Sequence, residues 1–193
     1  MSSFVGHFSA GVAVYLGYSR WSKREERVLL PVCVLLAVLP DFDYFAFWLF
    51  RVGQDPRFTH SLVFCLTAST FAWLALRRWH VGGIGTLFAL CLAACSHPAL
   101  DLLVGVHPVP VFWPFPLPEV QSSIGVLPSA GRLDPRNFYL WRNLLIESGV
   151  LLPAFAFLVA VARTTPVRTA LSKGLILLPI WLAFLVWSVR IHA

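Results

Sequence analysis

Ser96-His97-Pro98-Ala99-Leu100-Asp101 is the stretch whose reading decides this chain. It stands near the far end of a run, 81 to about 104, that is otherwise apolar enough to be a helix in lipid. Four residues apart on a helix, His97 and Asp101 share one face. An imidazole beside a carboxylate is a typical half-site for a divalent metal. It can equally be a polar contact tying two helices together, so the rest of the chain has to choose.

Composition sets the surroundings. Of 193 residues, 58 % are hydrophobic and only 12 % charged, against roughly 25 % charged in a soluble domain. Mean hydropathy is +0.75. These values indicate an all-α integral membrane protein, read as one helical domain over residues 1–193. The net charge of +6 does not point to nucleic acid, because the basic residues sit in short loops between apolar runs. Cys33, Cys65, Cys91 and Cys95 lie inside apolar runs and read as small hydrophobes. The first run carries His7 and has no positive region before it, so it reads as a span and not as a cleavable signal.

Six apolar runs are expected as spans: 4–18, 28–50, 61–76, 81–104, 143–162 and 174–189. Pro40 and the carboxylates of Asp41 and Asp43 should break the second. Whether the first two cross fully is open. The connection 105–142 is rich in Pro and aromatics and is expected to form an external lid or site wall. The segments 19–27, 77–80 and 163–173 hold nine of the fifteen basic residues: Arg20, Lys23, Arg24, Arg27, Arg77, Arg78, Arg163, Arg168 and Lys173. With six spans they share a side, and the positive-inside rule makes it cytoplasmic. Both termini are then outside.

His7, Asp41, Asp43, Arg57, His60, His97, Asp101, His107 and Glu147 all fall at the external ends of their spans. Ionisable groups at membrane depth are costly and mark function by default. His7, Asp41, Asp43, His60, His97 and Asp101 therefore form the expected metal set. Imidazole and carboxylate without thiolate suits zinc first, with manganese or iron as alternatives. Six groups exceed one tetrahedral shell, so either two ions share carboxylates or some groups stand behind the ligands. Such a site fits hydrolysis of a phosphoester. The base would be whichever of Asp41 and Asp43 is not a ligand, and Arg57 would grip a phosphate oxygen. A site at outer-leaflet depth suggests a membrane lipid substrate. Trp113 is a headgroup-zone anchor or a substrate-stacking ring. His107 reads as a loop residue and Glu147 as a charge favouring the positive end of its helix. The competing class is a non-catalytic metal-binding protein, a transporter or sensor. It would need polar groups continuing to the inner halves of the spans, which offer only Thr67, Ser69, Thr70, Thr86 and cysteines. A third reading, a scaffold with a vestigial site, predicts that loss of His97 is silent.

The ordered motifs Leu39-Pro40-Asp41-Phe42-Asp43, Thr59-His60-Ser61, Ser96-His97-Pro98-Ala99-Leu100-Asp101 and Trp113-Pro114-Phe115 resemble those of the YdjM-like family. Its members are predicted metal-dependent hydrolases of the bacterial inner membrane. The resemblance runs from His7 to about Phe115 and implies metal binding through the six residues above. The order is also distantly similar to that of the zinc-dependent phospholipase C and single-strand nuclease superfamily, a likeness that implies His107 and Glu147 as candidates for a further metal. Where the YdjM pattern has His after its second Asp, this chain has Tyr44, and Arg57 stands one place nearer Thr-His than the pattern's Arg.

Overall fold

The computed structural model describes residues 3–18, 23–51, 57–123, 125–129, 134–163 and 167–192. Seven α-helices are described: α1 (Phe4–Gly17), α2 (Lys23–Val38), α3 (Asp43–Phe50), α4 (Leu62–Arg78), α5 (Ile84–Val104), α6 (Phe138–Arg163) and α7 (Val167–His192). Two short 3₁₀ turns, Leu39–Phe42 and Phe58–His60, carry site residues. Among the described residues there is no β-strand; Val109 and Val120 form one isolated antiparallel bridge.

Helices α5 and α6 and the segment Gly174–Ile191 of α7 are long and apolar enough to cross a membrane, and α1 is a shorter apolar helix. α4 has 17 residues, about 26 Å of helix against a hydrocarbon core of about 30 Å. Over its spanning window only 6 % of α7 is buried in the protein. An apolar helix so little covered by protein belongs against lipid.

α1 packs against α2, α5 and α6. Its crossing with α2 is close because Gly11 has no side chain: a Cβ there would stand 2.7 Å from Val34 Cα and 2.9 Å from the Cys33 carbonyl oxygen. Small residues permit such backbone approach, and packing of this kind replaces the hydrophobic drive that lipid does not supply. Cys33 and Cys65 are buried in the α2/α4/α5 core with Leu29, Leu36 and Leu90. Ala10, Leu100, Val104, Val150 and Leu151 form a second cluster between α1, α5 and α6.

Of three boundaries, one matches the expected reading and two differ. The break at Pro40 is present as the first 3₁₀ turn, with α3 following at once. α6 begins at Phe138 and not at Asn143, because the Asn137 side chain accepts the Tyr139 N–H at 3.0 Å and starts the helix early. The preceding connection thus ends at Asn137, and Glu147 stands in the third turn of α6, not its first. α7 begins at Val167, so much of the expected basic loop is helix; residues 19–22 and 164–166 of the basic segments lie outside the described residues.

The long connection is tied down at several points. Gly105 ends α5 in the left-handed conformation (φ +68°) and donates its N–H to the Asp101 carbonyl. The chain then bonds α4 through Leu62 N–H to Val111 O at 3.0 Å. It returns so that Val126 and Leu127 N–H meet Leu103 O at 2.7 and 3.1 Å. The Ser188 hydroxyl of α7 donates to Val126 O at 2.6 Å.

Candidate metal centre

Local chemistry places each site residue. Ser3 caps α1 through Oγ, which accepts the Gly6 N–H at 3.1 Å, and this sets the first turn that carries His7. Asp41 and Asp43 come from the turn at Pro40. His60 closes the second 3₁₀ turn, just before Ser61 caps α4 by accepting the Phe64 N–H. His97 and Asp101 lie one turn apart on α5. The far ends of α1, α4 and α6, by contrast, are near Tyr18, Arg77 and Arg163. One end of the bundle holds the site and the other holds these helix ends, those of α4 and α6 being basic.

Five of the expected residues converge. His7 and His97 are 0 % exposed, Asp41 and His60 2 %, and Asp101 5 %. Asp41 lies 3.9 Å from His7 Nε2, 3.8 Å from His60 Nε2 and 3.6 Å from His97 Nε2. Asp101 lies 3.6, 3.5 and 3.7 Å from the same three nitrogens. The His60 and His97 Nε2 atoms face each other at 3.2 Å. Both nitrogens of His7 and Oδ1 of Asp41 are buried without a hydrogen-bond partner. Buried polar atoms are normally paired, and such exceptions mark a place for an ion or water.

Tautomers follow from the outer contacts. His97 Nδ1 lies 2.8 Å from Ala37 O, a group that only accepts, so Nδ1 carries the proton and Nε2 presents its lone pair to the cluster. The Thr59 hydroxyl donates to Asp43 Oδ2 at 3.1 Å and so accepts from His60 Nδ1 at 3.0 Å. His60 Nε2 is then also a bare lone pair. Two lone pairs at 3.2 Å repel unless a proton or a metal ion lies between them. The two inward carboxylates add a buried double negative charge, costly without a counter-ion. The donor set fits a divalent metal, and two overlapping trios, His7/His97/Asp101 and Asp41/His60/His97, each place three donor atoms within 4.8 Å.

Asp43 takes another position. Arg57 holds it bidentately, Nε to Oδ2 at 2.9 Å and Nη2 to Oδ1 at 3.0 Å. It faces His60 Nδ1, the side away from the cluster, at 3.7 Å. Burial works against the Arg57 charge, but the bonds to Asp43 outweigh it and hold the guanidinium above its ordinary pKa. The Arg57 guanidinium lies over the Tyr44 ring at 4.7 Å, and its Nη2 is 3.8 Å from Asp41 Oδ1. Tyr44 thus supports Arg57.

His107 is exposed and lines a small cleft with Arg57, His60, Asp101 and Pro108, at the mouth of the cluster. Trp113 packs at 5.4 Å on Phe58, and both are partly exposed. Glu147 is buried, and its Oε1 accepts the Ser3 N–H at 2.9 Å. This bond anchors the start of α1 to α6. Neither Glu147 nor His107 belongs to the donor trios found among the described residues. Sequence reading missed the roles of Thr59 and the Ala37 carbonyl. Thr59 stood beside His60 in the motif, but a backbone carbonyl leaves no trace in sequence.

An all-helical membrane protein with a buried histidine–aspartate cluster able to hold a metal ion is the class that fold and site define. The chain belongs to the YdjM inner membrane protein family, whose model matches residues 1–192. No curated protein and no solved structure gives a match.

Proposed function

We propose that this protein is a membrane-embedded, metal-dependent hydrolase that cleaves a phosphoester of a lipid at the external face of the inner membrane. The observation that carries the proposal is the convergence of three imidazole nitrogens and two carboxylates at one buried point. In this reading six crossings put the basic segments in the cytoplasm and both termini outside. Zinc is the first candidate, with manganese or iron as alternatives. A bound divalent ion would lower the pKa of a water and hold charge developing on a phosphoryl oxygen.

The chain's own residues do the rest. His7, His60, His97, Asp41 and Asp101 would hold the metal. Asp43 stands outside that set, on the far side of His60, where it would hold Arg57 and Thr59 in place behind the metal's ligands. Arg57 keeps positive charge at the mouth, suited to a phosphate oxygen. Exposed Phe58, Phe112, Trp113 and Phe115 beside the cleft supply an apolar surface for a lipid tail. The test is release of phosphate or a phosphorylated headgroup from phospholipids in mixed micelles by detergent-purified, zinc- or manganese-loaded protein. Asp41→Asn should remove at least about 99 % of it, an effect of the size expected when a catalytic metal is lost. Metal-loaded protein inert towards a panel of lipid phosphoesters would instead support a metal-binding protein without catalysis.

The outer contacts carry their own prediction. Thr59→Val leaves shape but removes the hydroxyl that fixes the His60 tautomer. Metal affinity should fall about 10–100-fold, the usual effect of losing an orienting partner. Thr59→Ser should restore most of it. Competition with a chromogenic chelator measures both.

A further inference from the structure

We infer that the cluster is two adjacent cation positions bridged by both carboxylates, and not one five-donor shell. This rests on the reading of the cluster as a metal centre. The carboxylates divide their oxygens in the same way. Asp41 turns Oδ1 to His60 and His97, at 3.8 and 3.6 Å, and Oδ2 to His7 at 3.9 Å. Asp101 turns Oδ2 to His60 and His97, at 3.5 and 3.7 Å, and Oδ1 to His7 at 3.6 Å. A single ion would draw on one oxygen of each carboxylate. Here both oxygens of both are aimed at imidazole nitrogens.

The rings give an independent reason. His7 and His97 stack with centroids 3.7 Å apart and planes 13° from parallel. A nitrogen lone pair lies in the plane of its ring, so these two lone pairs run alongside each other and do not converge on one atom. His60 is different: its ring is turned 78° to that of His97, so their lone-pair planes intersect.

The first position therefore has four donors: His60 Nε2, His97 Nε2, Asp41 Oδ1 and Asp101 Oδ2. Tetrahedral coordination at 2.0–2.2 Å puts donors about 3.3–3.6 Å apart. The five separations that involve an imidazole run from 3.2 Å between the two rings to 3.8 Å between His60 and Asp41. The second position has three donors, His7 Nε2, Asp41 Oδ2 and Asp101 Oδ1, and keeps a vertex for water or substrate, as catalytic sites do. Charge separates the two further. The two carboxylates balance one divalent ion, so a second needs an anion beside it, hydroxide or a phosphate oxygen. The second ion binds more weakly and is strengthened by phosphate.

Equilibrium dialysis of the detergent-purified full chain against zinc, read by elemental mass spectrometry, tests this. Wild type should bind two equivalents and His7→Gln one. Inorganic phosphate should tighten the second equivalent about tenfold in wild type and leave the single equivalent of His7→Gln unchanged. Wild type saturating at one equivalent would overturn the two-position arrangement while keeping the metal centre. Wild type binding none would overturn both. Should His7→Gln not fold, cobalt(II) titration of wild type decides. Two spectral phases, the first with the intense visible bands of tetrahedral cobalt, support the inference; one phase ending at one equivalent refutes it.

Discussion

His97→Ala is expected to lose the tightly held divalent metal of the four-donor position and any activity that depends on it. No other side chain in the cluster has so many dependents. Its Nε2 lies within 3.2–3.7 Å of His60, Asp41 and Asp101, and its ring covers His7. Its Nδ1 proton is used by Ala37 O, the last turn of the helix that delivers Asp41. Alanine removes a donor, frees that carbonyl and leaves space beside two buried carboxylates. Loss of an orienting partner costs about 10–100-fold in metal affinity, and loss of the ligand itself costs more. Metal content of purified protein, wild type beside variant, reads the result. Metal retained at wild-type stoichiometry in a folded His97→Ala protein would remove this residue from the centre and favour a vestigial site.

Gly11→Leu is expected to be the most damaging substitution away from the cluster. The added Cβ meets backbone, Val34 Cα at 2.7 Å and Cys33 O at 2.9 Å, and backbone cannot rotate aside as a side chain can. Overpacking costs about 1–3 kcal/mol where side chains can adjust, and a backbone clash stands at the upper end. The thermal midpoint in detergent should fall by roughly 5 °C or more. Metal affinity should fall with it, because moving α2 off α1 draws Asp41 from His7. Gly83→Ala is the control: nothing lies within 4 Å of its Cβ, and both readings should stay at wild type. Equal melting of wild type and Gly11→Leu would show that the α1–α2 crossing is looser than described.

His7, Asp41, His60, His97 and Asp101 were legible as a set because lipid makes each expensive and because all fall at the same ends of their apolar runs. Asp43 could not be separated from Asp41 in that way. Two carboxylates two residues apart in a turn have the same composition signal, and only the bidentate bond to Arg57 turned one of them away. Glu147 was legible as a costly charge but not as a tie to Ser3, since that bond joins residues 144 apart. The start of α6 was misplaced because polar Arg142 and Asn143 interrupt the apolar run. Asn143 donates to Ser129 O at 2.8 Å and Arg142 reaches its side chain, so both sit in the helix against the returning loop.

By itself the sequence determined the membrane class, the number of apolar runs and the residue types of the site, because solvation in lipid acts residue by residue and leaves its mark in composition and spacing. The tertiary structure decided which helices touch, which carboxylate faces inward and which nitrogen of His60 and of His97 is bare. Those depend on backbone groups such as Ala37 O and on the close approach at Gly11, contacts between distant segments that no local pattern encodes.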